Sequence, residues 1–311
     1  EITKIYREKG ISHCCTQNGL YSFIIYDDLK RLFFLGVDQN SVIQTYFSHF
    51  RDTLFFSWHI PQISYLSNHN LKIDEDHFFR TIFAGPLGLN SSTPVKNVKA
   101  LYGGSYIKFK ENKLKQYKIS PFYYEPKFDL SALEHIDRIK RSLLNAIKMR
   151  ISNIRNIAIG ISGGLDSRIL LGLISKLDNI KINGYTYGCK GFVESKVAKE
   201  IMEYFKFRHL IFEFNDLLYL EYAGDGISLS SGTSIFKHGI QFHLFNTIKK
   251  EFSSQGTILG SALDITIGDS YNLPKSKNLD TKDDLINFYI RRLFNLDLIS
   301  FKNLCNKKEN Y

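Results

Sequence analysis

The stretch Ile157-Ala158-Ile159-Gly160-Ile161-Ser162-Gly163-Gly164-Leu165-Asp166-Ser167 decides the architecture. It opens as a short apolar run, the composition of a strand buried on both faces. Glycines, hydroxyls and a carboxylate follow, and a helix is expected from about Arg168. A strand that passes through a glycine-rich turn into a helix is a phosphate-loop arrangement. Consecutive glycines let the backbone adopt positive φ and come close to a ligand, while the helix start aims unpaired N–H groups at the same point. Ser162 and Ser167 add hydroxyl donors. A carboxylate alone gains nothing from a phosphate, so Asp166 points to Mg²⁺ between protein and phosphate oxygens. The plainer alternative is a strand-to-helix turn in which Asp166 caps the helix. So much glycine, serine and acid at a strand's carboxyl end, where open α/β sheets bind ligands, favours the phosphate reading.

Downstream, strand-like Lys181 to Tyr187, a helix across Glu194 to Tyr204 and strand-like His209 to Phe214 continue the alternation. Alternation of this kind implies a parallel sheet with helices on both faces. Just upstream, Ser131 and Glu134 form a capping box for a helix whose Leu133, Ile136, Leu143, Leu144 and Ile147 recur at helical spacing. Pro121 to Asp129 reads as a linker, and the boundary falls near residue 126, giving domains 1–125 and 126–311. Ahead of it the chain is strand-like: Tyr21 to Tyr26, Arg31 to Val37 and Leu54 to Trp58 are aromatic and β-branched runs between polar turns. Near the end of that half, Ser105 to Phe109 and Leu114 to Ile119 flank a hairpin turn at Glu111-Asn112-Lys113. An antiparallel, sheet-rich first domain is the expectation.

Composition narrows the classes. Of 311 residues, 43% are apolar, which suits packed cores and excludes a disordered or fibrous chain. No apolar run approaches the roughly 20 residues of a membrane-spanning helix, and no signal peptide opens the chain. Cys14, Cys15, Cys189 and Cys305 lack metal-site spacing and read as reduced thiols in a cytosol. Lys plus Arg at 41 against Asp plus Glu at 31 gives a net charge of +10. The lysines are scattered, so a solvated basic surface is favoured over a nucleic-acid groove.

Neither G-x-x-x-x-G-K-[ST] nor G-x-G-x-x-G is present. Ser162 to Ser167 instead resembles the pyrophosphate loop of the ATP pyrophosphatases, which cleave ATP between its α- and β-phosphates to adenylate a substrate. Three further stretches resemble the asparagine synthetase family in order and spacing: Tyr185-Thr186-Tyr187-Gly188, Glu194-Ser195-Lys196-Val197-Ala198 with His209, and Ile258-Leu259-Gly260-Ser261-Ala262-Leu263-Asp264. The last is similar to that family's second nucleotide loop, with Ala262 in place of a glycine and Ile265 in place of a glutamate. Upstream, Asn18 to Asp27, Phe34 to Asp38 and Tyr46-Phe47 resemble the family's glutaminase-type sandwich. The resemblance runs from Asn18 to Asp269.

It implies an α/β fold: a parallel-sheet ATP pyrophosphatase (adenine nucleotide α-hydrolase-like) domain preceded by a partial antiparallel Ntn glutaminase-like domain. It implies ATP and Mg²⁺, with Asp166 and Asp264 as metal-holding catalytic carboxylates. Ile161, Ser162, Gly163, Gly164, Asp166, Ser167, Tyr187, Leu259 and Gly260 would bind the nucleotide, with Ile161, Tyr187, Leu259 and Gly260 around the adenine. The expected activity is amide formation: a small-molecule or peptide carboxylate is adenylated, pyrophosphate leaves, and an amine or ammonia displaces AMP. Macrolactam and β-lactam synthetases and tRNA-modifying pyrophosphatases are the alternatives within reach of the same loop. Nucleic-acid and membrane partners are not expected, the compartment would be the cytoplasm, and a homodimer is compatible with the family. Glutaminase activity is not expected, since the chain opens with Glu1 rather than a cysteine and Val37 stands where the family has an arginine clamp for the glutamine carboxylate. By the family's layout the chain reads as a middle portion, incomplete at both ends, which need not be active alone.

Overall fold

The computed structural model describes residues 1–67, 72–84, 91–119, 129–189, 191–233 and 238–260, with Thr281 and Asp284 besides. The chain divides into two compact units, Glu1–Glu125 with Ile227–Ile235 and Leu279–Tyr311, and Pro126–Gly226 with Phe236–Asn278.

The first unit starts with helices α1 (Ile2–Lys9) and α2 (Ile11–Cys14). Strands β1 (Ser22–Asp27), β2 (Leu32–Val37), β3 (Tyr46–Phe50) and β4 (Thr53–Ser57) follow, then α3 (Ile60–Ser67), α4 (Glu75–Ala84), β5 (Lys99–Ala100), β6 (Ser105–Lys110) and β7 (Lys113–Lys118). They form two antiparallel sheets, ordered β1-β2-β6-β7 and β4-β3-β5. Glu111 at φ 49° and Asn112 at φ 59° make the two-residue turn between Lys110 and Lys113, both central residues left-handed as a type I′ hairpin requires. Leu35, Val37, Phe47, Leu101 and Ile107 form a core cluster of this unit. Val37 is sealed in it with no exposed surface.

The four helices correct the purely strand-like reading of this half. Ile2, Ile5 and Tyr6 fall at i, i+3 and i+4 and pack on the cluster that holds Phe23, Ile25 and Phe34. Ile60 and Ile63 are likewise three apart and buried. Within this unit Tyr46 Oη lies 3.1 Å from Thr233 Oγ1, and the Ile60 N–H donates to Ser231 Oγ at 3.2 Å, so the 227–235 segment is hydrogen-bonded into it.

In the second unit α5 (Ala132–Ile151), β8 (Asn156–Gly160), α6 (Leu165–Ile174), β9 (Lys181–Cys189), α7 (Val193–Tyr204) and β10 (Arg208–Phe214) alternate, followed by α8 (Asp216–Glu221), α9 (Ala223–Ser230), whose residues from Ile227 are counted with the first unit, α10 (Gly239–Phe252) and β11 (Gly256–Ile258). The strands form one parallel sheet, ordered β10-β9-β8-β11. Alternation along β8 divides its side chains between two layers. Ile157 and Ile159 join Leu171, Ile174, Ala198 and Met202 of α6 and α7, whereas Ala158 joins Tyr185 and the α10 residues Leu244, Ile248 and Phe252. Each fully buried isoleucine contributes roughly 1.5–3 kcal/mol. Gly184 is needed where it stands, because a Cβ there would lie 2.4 Å from Met202 Cε.

At α5 the capping box is present, with Ser131 Oγ accepting from the Glu134 N–H and the Glu134 carboxylate accepting from the Ser131 N–H. Its apolar face is covered only at the far end. Ile147 and Ile151 are buried, but Leu133 is 76% and Ile136 57% exposed, so the helical spacing runs on past the part of the face that is covered. Among the described residues no helix is long and apolar enough to cross a membrane.

Candidate functional site

β8 is central, with β9 on one side and β11 on the other, so the chain's path around the sheet changes direction beside its carboxyl end. Open parallel sheets form a crevice at such a switch point. The residues that follow β8 are fixed by their neighbours. The Ile161 N–H donates to the Tyr185 carbonyl at 2.8 Å. Thr186 Oγ1 donates to the Ile161 carbonyl at 2.7 Å and lies 2.8 Å from His209 Nε2. Because the threonine proton is committed to Ile161, the imidazole N–H is the donor in that second contact. Burial holds the His209 pKa below its ordinary value.

The loop closes on its own serines. The Ser162 N–H donates to Ser167 Oγ at 3.1 Å, the two hydroxyl oxygens are 3.2 Å apart, and the Gly164 N–H donates to Ser162 Oγ at 3.2 Å. Ser167 Oγ is also 3.1 Å from the Ser162 carbonyl and 3.2 Å from that of Gly164. Ser167 is largely buried and its hydroxyl takes part in the loop's closure.

Helix α6 starts at Leu165, not near Arg168, with Gly164 as its N-cap at φ −78° and ψ 161° and no side-chain cap. Asp166 is therefore in the first turn and is not the cap. Neither Gly163 nor Gly164 is among the residues with positive φ, so the expected conformational use of the double glycine is not what the structure shows. At Gly163 a Cβ would meet Val197 Cβ at 3.6 Å and Glu194 Cα at 3.8 Å, ordinary contact distances, whereas at Gly164 it would crowd Ser162 Oγ at 3.3 Å. Gly260 comes closer still, since a Cβ there would be 3.2 Å from Asp166 Cβ and from the Ser167 nitrogen.

A cleft of ≈ 720 Å³ opens here. It gathers Ile161, Ser162, Gly164, Asp166 and Ser167 from the loop and α6, Tyr187 from β9, and Leu259 with Gly260 beyond β11. Gly163 is not in its wall, packing instead towards α7. Asp264 lies outside the described residues, as do Ser261, Ala262 and Ile265. Sequence reasoning did not assign Tyr185, Thr186 or Glu194 to the cleft, though all three line it. Tyr185 and Thr186 precede Tyr187 on the strand that pairs with β8, and Glu194 is an acid in the first turn of α7; those were the available signals.

The wall combines polar and apolar groups. Around α6 stand the uncapped first turn and the Asp166 carboxylate, and Glu194 of α7 also lines the cleft. Tyr187 and Leu259, 37% and 43% exposed, are apolar parts of the same wall. Among the described residues no three His, Cys, Asp or Glu side chains converge as a self-sufficient metal site.

Residues 1–123 match the glutamine amidotransferase domain family and residues 138–225 the asparagine synthase family. A protein of Methanocaldococcus jannaschii named as a glutamine-hydrolyzing asparagine synthetase 2 is 25% identical over 229 residues, covering 69% of this chain and 42% of that protein. Amidase chyE of Penicillium rubens is 23% identical over 182 residues, 57% of this chain and 26% of its own length. The chain thus spans less than half the length of these curated relatives. The NH3-dependent NAD synthetase of Campylobacter jejuni superposes with a TM-score of 0.32 at 14% identity, covering 56% of this chain and 93% of that one. The first unit is an antiparallel glutaminase-like domain and the second a parallel-sheet adenine nucleotide α-hydrolase-like domain, in keeping with the matches of residues 1–123 to the glutamine amidotransferase domain family and of residues 138–225 to the asparagine synthase family.

Proposed function

We propose that the cleft binds ATP with Mg²⁺ and that the chain carries the adenylating half of an amide-forming ligase. The observation that carries this reading is the uncapped start of α6, joined to the serine-closed loop at the carboxyl end of a central parallel strand. First-turn N–H groups have no acceptor inside a helix and, with the positive end of the helix dipole, favour a phosphate chain. Asp166, with Asp264 as its proposed partner, would hold Mg²⁺, which when bound offsets charge on the phosphate oxygens. Glu194, on the cleft wall, is a further carboxylate within that reading. Tyr187 and Leu259 would flank the base.

In the reaction so read, an oxygen of the substrate carboxylate bonds to the α-phosphorus of ATP and the bond to the bridging oxygen breaks, releasing pyrophosphate. Ammonia or an amine then attacks the acyl carbon and AMP leaves, closing the amide. The protein's own share is to hold the phosphates along the loop and α6 and to keep the base away from water.

Exchange of labelled pyrophosphate into ATP, measured with candidate carboxylic acids and repeated with tRNA, tests the proposal. Acid-dependent, Mg²⁺-dependent exchange without tRNA is the expected result. Exchange that requires tRNA would move the chain to nucleic-acid modification, and failure to bind ATP would sink the reading. Asp166→Asn and Asp264→Asn should each weaken Mg²⁺-dependent binding, with a combined loss smaller than the sum if both hold one ion.

A further inference from the structure

Tyr185 is fully buried, and among the described residues its hydroxyl has no hydrogen-bond partner. It nevertheless belongs to the wall of the cleft. The oxygen lies 3.2 Å from the point a Cβ on Gly160 would occupy, and that same point is 2.8 Å from Leu259 Cδ2. The hydroxyl therefore sits beside the bare backbone of Gly160, covered by the half-exposed Leu259 side chain. A phenylalanine would fill the same space without leaving a buried polar atom unmatched, so the oxygen is a standing cost to the free protein. The ring lies 6.5 Å from that of Tyr187 and within 16° of parallel to it, and both tyrosines line the cleft.

This inference rests on the proposed nucleotide binding. In that reading the phosphates run along α6 and the base is flanked by Tyr187 and Leu259. Flat apolar walls hold a base but do not identify it; a polar group at its edge does. We infer that the Tyr185 hydroxyl donates a hydrogen bond to a ring-nitrogen acceptor of the bound purine, reached when the Leu259 side chain swings aside. Burial raises the Tyr185 pKa, so the phenol stays protonated and remains a donor.

The test is Tyr185→Phe, titrated with Mg·ATP and with Mg·tripolyphosphate, and melted without ligand. The variant should bind ATP about tenfold more weakly, hold tripolyphosphate as the wild type does, and melt no lower than the wild type. Unchanged ATP affinity in the variant, where the wild type binds both ligands, would overturn the inference and leave the nucleotide reading standing. A lower melting temperature with no ligand would also overturn it, since the hydroxyl would then have a partner within the protein. A wild type that binds neither compound would remove the nucleotide reading, and this inference with it.

Discussion

Helices α5 and α6 belong to the same unit, yet their first turns are finished in opposite ways. At α5 the Ser131 hydroxyl and the Glu134 carboxylate exchange hydrogen bonds with each other's backbone, and the helix start is satisfied from within. At α6 the residue in the capping position is a glycine, and the nearest hydroxyls, those of Ser162 and Ser167, are turned into the loop that precedes the helix. A helix whose role is packing closes its own end. One whose end lines a cleft keeps its donors for something else, and stability there must come from the loop and the packing below.

Four experiments would break or sharpen that contrast. The largest effect is expected at Asp166. Asp166→Asn should lower Mg²⁺-dependent ATP affinity by about 100-fold, the scale of losing one well-placed electrostatic group, with the far-ultraviolet circular dichroism unchanged. Calorimetric titration with and without Mg²⁺ measures it, and equal affinities for the two proteins would remove Asp166 from the site. Next comes Gly164→Ser, which gives α6 the cap it lacks. Affinity for tripolyphosphate should fall about tenfold while stability shifts by only a few tenths of a kcal/mol. If affinity held, the open first turn would not be the anion site.

Ser131→Ala reverses the experiment at the other helix. It should cost about 1 kcal/mol of unfolding free energy in urea, with nucleotide affinity unaltered, and a loss of affinity would show that the two helix starts are coupled. The smallest effect concerns acid. The folded pKa of His209 is depressed by burial, so the stability linked to it is complete above the ordinary value of 6.5 and is lost as pH falls through the depressed value. Glu134 is depressed by its bonds to Ser131, so its contribution is complete above 4.5 and is lost only in stronger acid. Melting temperatures against pH should thus show two limbs. His209→Gln should flatten the upper one and leave the lower; a variant with both limbs intact would exclude the histidine.

The parts legible in the sequence were those fixed by near neighbours. Ile157 to Ser167, the Ser131 and Glu134 box and the turn at Glu111 and Asn112 each carry their cause within a few residues. The start of α6 was placed too late because a glycine cap has no side chain to announce it, and Leu165 to Ser167 reads as loop. The helices at Ile2–Lys9 and Ile60–Ser67 were hidden because isoleucine and tyrosine suit strands as well as helix faces. Exposure of Leu133 and Ile136 could not be read at all, since periodicity defines a face without saying what covers it. Likewise, Tyr185 became visible only when Gly160 and Leu259 were brought beside it.

The path of the chain has a consequence for its synthesis. The first unit includes Ile227–Ile235, whose Ser231 and Thr233 reach Ile60 and Tyr46. A ribosome that has released the strands of both antiparallel sheets has still to translate most of the parallel-sheet unit before those bonds can form. Folding during translation is accordingly not one domain after the other. The bonds from Ser231 and Thr233 must wait while the second unit is made through its middle, and they form only once those residues have cleared the exit tunnel.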